Sequence, residues 1–142
     1  MDVGKKIMAI DYGDVRTGIA VSDESAALVG PAWVIREKSR VATALKIAEE
    51  AVARGVGLIV VGFPKNMDGT VGPRAEKSEA FAQHLQSICG LEIILWDERM
   101  TTVLANRILA DSGRFGKKRK DAVDAVAASL ILESYLQSKK DT

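Results

Sequence analysis

The chain has 142 residues, of which 47% are hydrophobic and 27% charged, an ordinary balance for a globular protein. This length fits one domain, expected to span residues 1–142. The formal net charge is only +1, so attraction to nucleic acid must come from local clusters of basic residues. No stretch approaches the ~18 apolar residues of a membrane span. No signal-peptide pattern is present, and the single cysteine, Cys89, allows no intrachain disulfide. These features predict a cytoplasmic protein with no membrane partner.

The first part of the chain is typical of three consecutive strands. Residues 5–12 are apolar at nearly every position, a glycine turn follows, and residues 16–23 form a second apolar run. Together they predict a hairpin. Residues 28–35 predict a third strand, placed at the edge of the sheet because Pro31 cannot donate a backbone hydrogen bond.

The remainder alternates helices and strands. Ser39 is expected to cap a helix over 41–54 that Gly55 ends. The apolar residues that follow helical spacing in it are Val41, Ala44, Leu45, Ala48 and Val52. Strands are predicted at 58–62 and 91–96, and helices at 74–89, from Thr101 or Thr102 to 110, and at 121–136, with a basic, mobile segment at 112–120. This order predicts an α/β fold like that of ribonuclease-H-like domains: a mixed five-stranded sheet, made of a three-strand antiparallel meander plus two parallel strands, with helices on both faces.

Acidic residues follow two of the central strand candidates. Asp11 ends the first strand, and Asp97 and Glu98 follow the strand at 91–96. Ligands of α/β sheets gather at the carboxyl ends of strands. Because successive strand residues face opposite sides, only one of Asp97 and Glu98 can face the same place as Asp11. The pattern alone does not choose between them.

The third acid comes from the last helix. The residues that define its predicted inward stripe are Val123, Val126, Ala127, Leu130 and Ser134. Asp124 lies roughly 90° from the centre of that stripe and Asp121 roughly 150° from it. We therefore expect Asp124 to lean over the sheet edge, and Asp121 to be a first-turn acid that favours the helix dipole.

Three converging carboxylates repel one another unless a cation holds them ionised. Mg²⁺ and Mn²⁺ prefer such oxygen ligands. Two ions about 4 Å apart can clamp the attacking water and the leaving oxygen of a phosphodiester. This scheme needs no histidine, and the lone His84 is expected to be a half-exposed packing residue.

Glycines and basic residues indicate where phosphates could bind. Asp11-x-Gly13 with Gly18 fits a D-x-G-x-x-x-x-G pattern, in which a hairpin exposes backbone N–H groups. The same pattern occurs in two-lobed ATPases, but this chain has room for one lobe. Lys65, Asn66 and Arg74 are either substrate contacts or parts of a polar surface turn, and Arg99 is either a substrate contact or a salt-bridge partner. The basic residues that precede Asp124 are Arg114, Lys117, Lys118, Arg119 and Lys120, placed to hold a phosphate backbone without sequence preference.

Four segments of the chain resemble the YqgF/RuvX family of ribonuclease-H-like proteins, known as pre-16S rRNA nucleases or Holliday junction resolvases. They are AIDYGDVRTGIAVSD at 9–23, VGFPKNMDGTVGPRA at 61–75, LWDERMTT at 95–102 and VDAVAASLILESYL at 123–136. The resemblance implies metal-binding and catalytic roles for Asp11, Glu98 and Asp124, and so selects Glu98 over Asp97.

The leading hypothesis from the sequence is a Mg²⁺- or Mn²⁺-dependent phosphodiesterase, with two ions, that trims the 5′ end of precursor 16S rRNA. The first alternative keeps the chemistry but acts on four-way DNA junctions, where resolvases work as homodimers. The second is a nucleic-acid-binding module without hydrolysis. The sequence leaves open whether the chain is a monomer or a homodimer.

Overall fold

The computed structural model describes residues 6–66, 68–97 and 116–140, with the side chains of the last helix described from 123 to 139. In these ranges five strands form one sheet: β1 (Lys6–Asp11), β2 (Arg16–Ser22), β3 (Val29–Arg36), β4 (Val56–Phe63) and β5 (Glu92–Asp97). The same ranges contain three helices: α1 (Arg40–Arg54), α2 (Pro73–Cys89) and α3 (Gly116–Lys140). Among the described residues, no helix is long and apolar enough to cross a membrane.

The sheet has the strand order β3-β2-β1-β4-β5. β1 pairs antiparallel with β2, and β2 with β3, whereas β4 lies parallel to β1 and β5 parallel to β4. This mixed sheet confirms the predicted meander followed by two parallel strands. β3, which contains Pro31, lies at the edge as expected, because its outer backbone groups need no strand partner.

Helices cover both faces of the sheet, as predicted. On one face, Met8 and Ile10 of β1 pack with Ile47 of α1 and Phe81 of α2. On the other, the alternate β1 residues Ile7 and Ala9 pack with α3. Every second residue of β1 therefore faces α3, and Asp11 continues that series.

The caps of α1 are those expected, but its buried face is not the one that its apolar residues indicate. Ser39 accepts a hydrogen bond from the Ala42 backbone N–H, and Gly55 ends the helix at a φ of 74°. The buried residues of the helix are Thr43, Ala44, Ile47 and Ala51. Of the predicted stripe Ala44 is buried, whereas Val41, Leu45 and Val52 are exposed, because the helix packs on the core through the face that contains Ile47 and Ala51.

The last helix begins earlier than predicted. Residues 116–120, expected to belong to a mobile segment, are helical and continuous with the rest of α3, since lysine and arginine are good helix formers. Asp121 is therefore not in the first turn, and the prediction of a dipole role for it is wrong. The helix predicted from Thr101 or Thr102 to 110 lies outside the described residues.

Candidate metal and nucleic-acid site

The site is built around the carboxyl end of the central strand β1. Asp11 is the last residue of that strand and lies opposite Gly18 of β2 in the antiparallel register. Gly18 in turn lies against the backbone of α3: a Cβ atom at Gly18 would overlap the carbonyl oxygen of Asp124. The register and this close approach bring Asp11 and Asp124 together, although 113 positions separate them in the chain.

Asp124 lies nearer the centre of the buried face of α3 than the sequence predicts. The buried residues of the helix include Ala128, Ile131 and Tyr135, which follow Asp124 at intervals of four, seven and eleven. These intervals keep all four residues on one side of a helix. The predicted stripe is shifted in phase: of its five residues Ala127 is buried, whereas Val123, Val126, Leu130 and Ser134 are only partly buried.

Electrostatics at Asp11 reflect the meeting of the two acids. Burial raises the pKa of Asp11 to about 7; the positive charge of Arg74 opposes this rise, and the negative charge of Asp124 adds to it. An exposed aspartate ionises near pH 4. A divalent cation between the two carboxylates would relieve their repulsion, so these residues fit a hard metal ion.

The third predicted carboxylate, Glu98, lies outside the described residues, as does Arg99. Within the described ranges, no group of three or more His, Cys, Asp or Glu side chains could hold a metal ion. The competing acid, Asp97, is on the other side of the sheet from Asp11. Trp96 packs on the α3 face, with its indole N–H 3.1 Å from the Ser134 hydroxyl, so strand alternation directs Asp97 toward α1 and α2.

Three of the predicted substrate-binding residues lie between the end of β4 and the first turn of α2. Arg74, at the start of α2, is exposed and close enough for its charge to act on Asp11. Asn66 is turned into the loop: its amide donates to the Thr70 hydroxyl at 2.9 Å, and its backbone N–H donates to the Thr70 carbonyl. Lys65 is half-buried, with its ammonium 5.8 Å from the centre of the Phe63 ring. Asn66 therefore shapes this loop.

The two glycines of the hairpin have structural roles, of which the sequence predicts the turn at Gly13 but not the role of Gly18. A Cβ atom at Gly13 would overlap the Arg16 carbonyl oxygen, and the Gly13 N–H lies 3.4 Å from the Thr17 hydroxyl. Gly13 therefore permits the tight turn, whereas Gly18 lets α3 approach the sheet. Both glycines have a structural role before any phosphate is considered.

Sequence reasoning missed Arg16, whose Nε donates to Oδ2 of Asp124 at 3.1 Å. The sequence offered one signal: Arg16 precedes Gly18 by two positions in the same strand, so both residues lie on one face of the sheet. Lys117, Lys118, Arg119 and Lys120 form part of the first turns of α3, which lead into Asp124; their side chains are outside the described set.

His84 plays no part in this arrangement. It is partly buried on α2, and its Nε2 atom is buried without a hydrogen-bond partner among the described residues. This agrees with the packing role expected of it. Cys89, the last residue of α2, is partly buried against the core beneath α1 and α2.

Comparison with known proteins agrees with this architecture. A relative from Acetivibrio thermocellus named "Putative pre-16S rRNA nuclease" is 47% identical over 136 residues, which are 94% of this chain and 96% of the relative. A relative of the same name from Thermoanaerobacter pseudethanolicus is 41% identical over 137 residues, covering 96% and 99% of the two chains.

Solved structures share the fold at much lower identity. The Fowlpox virus resolvase, in its crystal structure with substrate Holliday junction DNA, has a TM-score of 0.59 at 12% identity and covers 94% of this chain and 98% of its own. This likeness confirms the ribonuclease-H-like fold. The family model described as "RuvX: Holliday junction resolvase" matches residues 5–138. The chain is therefore a member of the RuvX family.

Proposed function

We propose that the protein is a cytoplasmic, divalent-metal-dependent nuclease that processes the 5′ end of precursor 16S rRNA. The observation that carries the proposal is the meeting of Asp11 and Asp124 on one face of the sheet, at the carboxyl end of its central strand. Ligands of α/β proteins bind at such strand ends. Two carboxylates brought there from distant parts of the chain are costly to the fold, and cation binding explains that cost.

In this proposal Asp11, Glu98 and Asp124 hold Mg²⁺ or Mn²⁺. Asp97 faces the opposite side of the sheet from Asp11, which supports Glu98 as the third carboxylate. Two ions, when bound, would activate a water molecule and stabilise the leaving oxygen of a phosphodiester. The protein contributes by fixing the positions of the carboxylates. The strand register positions Asp11, and the packing of α3 against Gly18 positions Asp124.

Basic residues on two sides of the acids are proposed to hold the substrate. Arg74 lies close to Asp11 at the start of α2. Lys117 and Lys120 precede Asp124 by seven and four residues in the same helix, or about 10 Å and 6 Å along its axis. A strand lying over the acids could contact both groups through its phosphates. Such contacts give affinity without sequence preference.

The choice of substrate rests on the relatives. The two relatives at 41% and 47% identity are named for precursor rRNA, whereas the family description names the Holliday junction. We favour precursor rRNA because those relatives match nearly the whole chain at high identity. Junction cleavage is the second candidate, and the family description supports it. A resolvase must place two sites on two strands, so that candidate requires a dimer.

The test compares cleavage of a precursor 16S rRNA 5′ end with cleavage of a four-way DNA junction, with Mg²⁺, with Mn²⁺ and with chelator. We expect metal-dependent cleavage of the RNA, and loss of at least about 10²-fold in Asp11→Asn and Asp124→Asn. Asp14→Asn is the matched control, because Asp14 lies in the same hairpin but pairs with Lys77 at the surface.

Each other outcome identifies a rival. Preferential junction cleavage by a dimer would assign the protein as a resolvase. Tight binding of either nucleic acid with no turnover in any metal would assign a binding module. Full activity of Asp11→Asn would disprove the proposed metal site.

A further inference from the structure

Arg16 contacts the acidic pair but has no part in the proposed chemistry. It is the first residue of β2, and its Nε atom lies 3.1 Å from Oδ2 of Asp124. The two side chains are only 31% and 22% exposed. A hydrogen bond between ionised groups in such a partly buried position is stronger than an exposed ion pair.

The strand register explains why Arg16 reaches this acid. Gly18 and Ala20 follow Arg16 at intervals of two, and Ala20 packs in the cluster beneath α3, so all three residues face that helix. Asp11 lies opposite Gly18. Asp124 is therefore in contact with Arg16 of β2 and close enough to Asp11 of β1 for its charge to act on that acid.

We propose that Arg16 is a positioning residue that holds the Asp124 carboxylate in the orientation needed to bind a divalent cation. Arginine stays protonated and cannot itself ligate a cation. By holding one carboxylate oxygen, it restricts rotation of the Asp124 side chain before the metal arrives. Partners that orient metal ligands in this way contribute substantially to affinity.

A purely electrostatic role for Arg16 predicts the opposite result. A positive charge beside a cation site repels the cation, so its removal alone would tighten metal binding. Arg16→Met removes both the charge and the hydrogen bond, whereas Arg16→Lys keeps the charge but loses the planar guanidinium group. The direction of the change in affinity therefore separates positioning from charge.

This inference rests on the proposed function, and its test is Mn²⁺ binding to the full chain, measured by calorimetry and by electron paramagnetic resonance without any nucleic acid. We expect Arg16→Met to weaken Mn²⁺ binding about 10- to 100-fold, and Arg16→Lys to recover part of that loss. The matched control is Lys46→Met, which removes an ion pair of 3.2 Å between α1 and Glu37. Because α1 packs on the sheet face opposite to α3, this variant should bind Mn²⁺ as the wild type does.

The outcomes distinguish this inference from the proposed function. Unchanged or tighter Mn²⁺ binding by a folded Arg16→Met protein overturns the positioning role and leaves the nuclease proposal standing. If Arg16→Met does not fold, Arg16→Lys decides the question. Wild-type affinity of Arg16→Lys for Mn²⁺ overturns the positioning role, and weaker binding by this variant supports that role. Failure of the wild type to bind Mn²⁺ overturns the metal site and this inference together.

Discussion

Gly18 lies against the backbone carbonyl of Asp124, at a distance that leaves no space for a side chain. Through this contact α3 packs directly on β2 beside Asp11, which is the register partner of Gly18. The geometry of the acidic pair therefore depends on a residue that carries no functional group.

Gly18→Ala should separate the helix from the sheet. The new Cβ atom would overlap the Asp124 backbone, which cannot rotate away as a side chain could. We therefore expect a loss of about 1–3 kcal/mol in the free energy of unfolding, together with weaker Mn²⁺ binding. Chemical denaturation and calorimetry measure the two effects. Gly72→Ala is the comparison, since a Cβ atom at that position would lie 3.2 Å from the amide nitrogen of the exposed Asn66 side chain. Equal Mn²⁺ affinity in Gly18→Ala and wild type would contradict the prediction.

Asp11→Asn should stabilise the metal-free protein at neutral and higher pH. The pKa of Asp11 is raised from 3.8 to about 7 in the fold, so the folded chain binds this proton more tightly than the unfolded chain does. The protonated Asp11 side chain therefore contributes stability in full below the unfolded pKa of 3.8, and this contribution is lost as the pH rises through 7. We expect the variant to gain about 1–3 kcal/mol over wild type at about pH 8 and less than that at about pH 5. Chemical denaturation in the presence of chelator across this pH range measures the difference in the free energy of unfolding. An equal gain at both pH values would show that the fold does not raise the pKa of Asp11.

Arg74 should set the pH at which the acidic pair binds metal. Its charge opposes the rise in the pKa of Asp11, so Arg74→Gln should raise that pKa further and move the onset of Mn²⁺ binding to higher pH. Arg74→Lys keeps the charge and should leave the onset nearly unchanged. Calorimetric titrations at several pH values provide the measurement. The same onset in Arg74→Gln and wild type would show that Arg74 does not act on Asp11.

Lys117 and Lys120 should govern the salt dependence of RNA binding. Each phosphate contact to a single strand contributes about 0.7 to the slope of log affinity against log salt, so Lys117→Gln/Lys120→Gln should lower the magnitude of this slope by about 1.4. Lys139→Gln/Lys140→Gln, which removes the same two charges at the other end of the same helix, is the control. Fluorescence anisotropy at several salt concentrations measures the slope. A slope that changes equally in the control would assign the effect to net charge alone.

The buried and exposed sides of α1 should respond differently to substitution. Ile47 is fully buried, whereas Leu45 is 48% exposed. Ile47→Ala should cost about 2–5 kcal/mol, and Leu45→Lys less than about 0.5 kcal/mol. Urea denaturation distinguishes the two. A large loss in Leu45→Lys would show that this face of the helix is covered in solution.

Local patterns were sufficient for most of the secondary structure. The caps at Ser39 and Gly55 and the edge position of Pro31 follow from properties of single residues, which is why they could be predicted without a fold. The phase of α3 could not be predicted in the same way. Apolar residues point in nearly every direction around that helix, so several inward stripes fit equally well, and contact with the sheet selects the one that contains Asp124.

By itself, the sequence determined the order of the strands and helices, the placement of Asp11 at the end of a buried strand, and the family through four segments that occur in the order expected of it. Only the tertiary structure decided which residues meet. The register of β1 and β2 places Gly18 opposite Asp11, and the absence of a side chain at Gly18 allows Asp124 to approach. Arg16 joins them because strand alternation directs it to the same face. Contacts between residues more than 100 positions apart depend on packing, and local sequence patterns carry no information about packing.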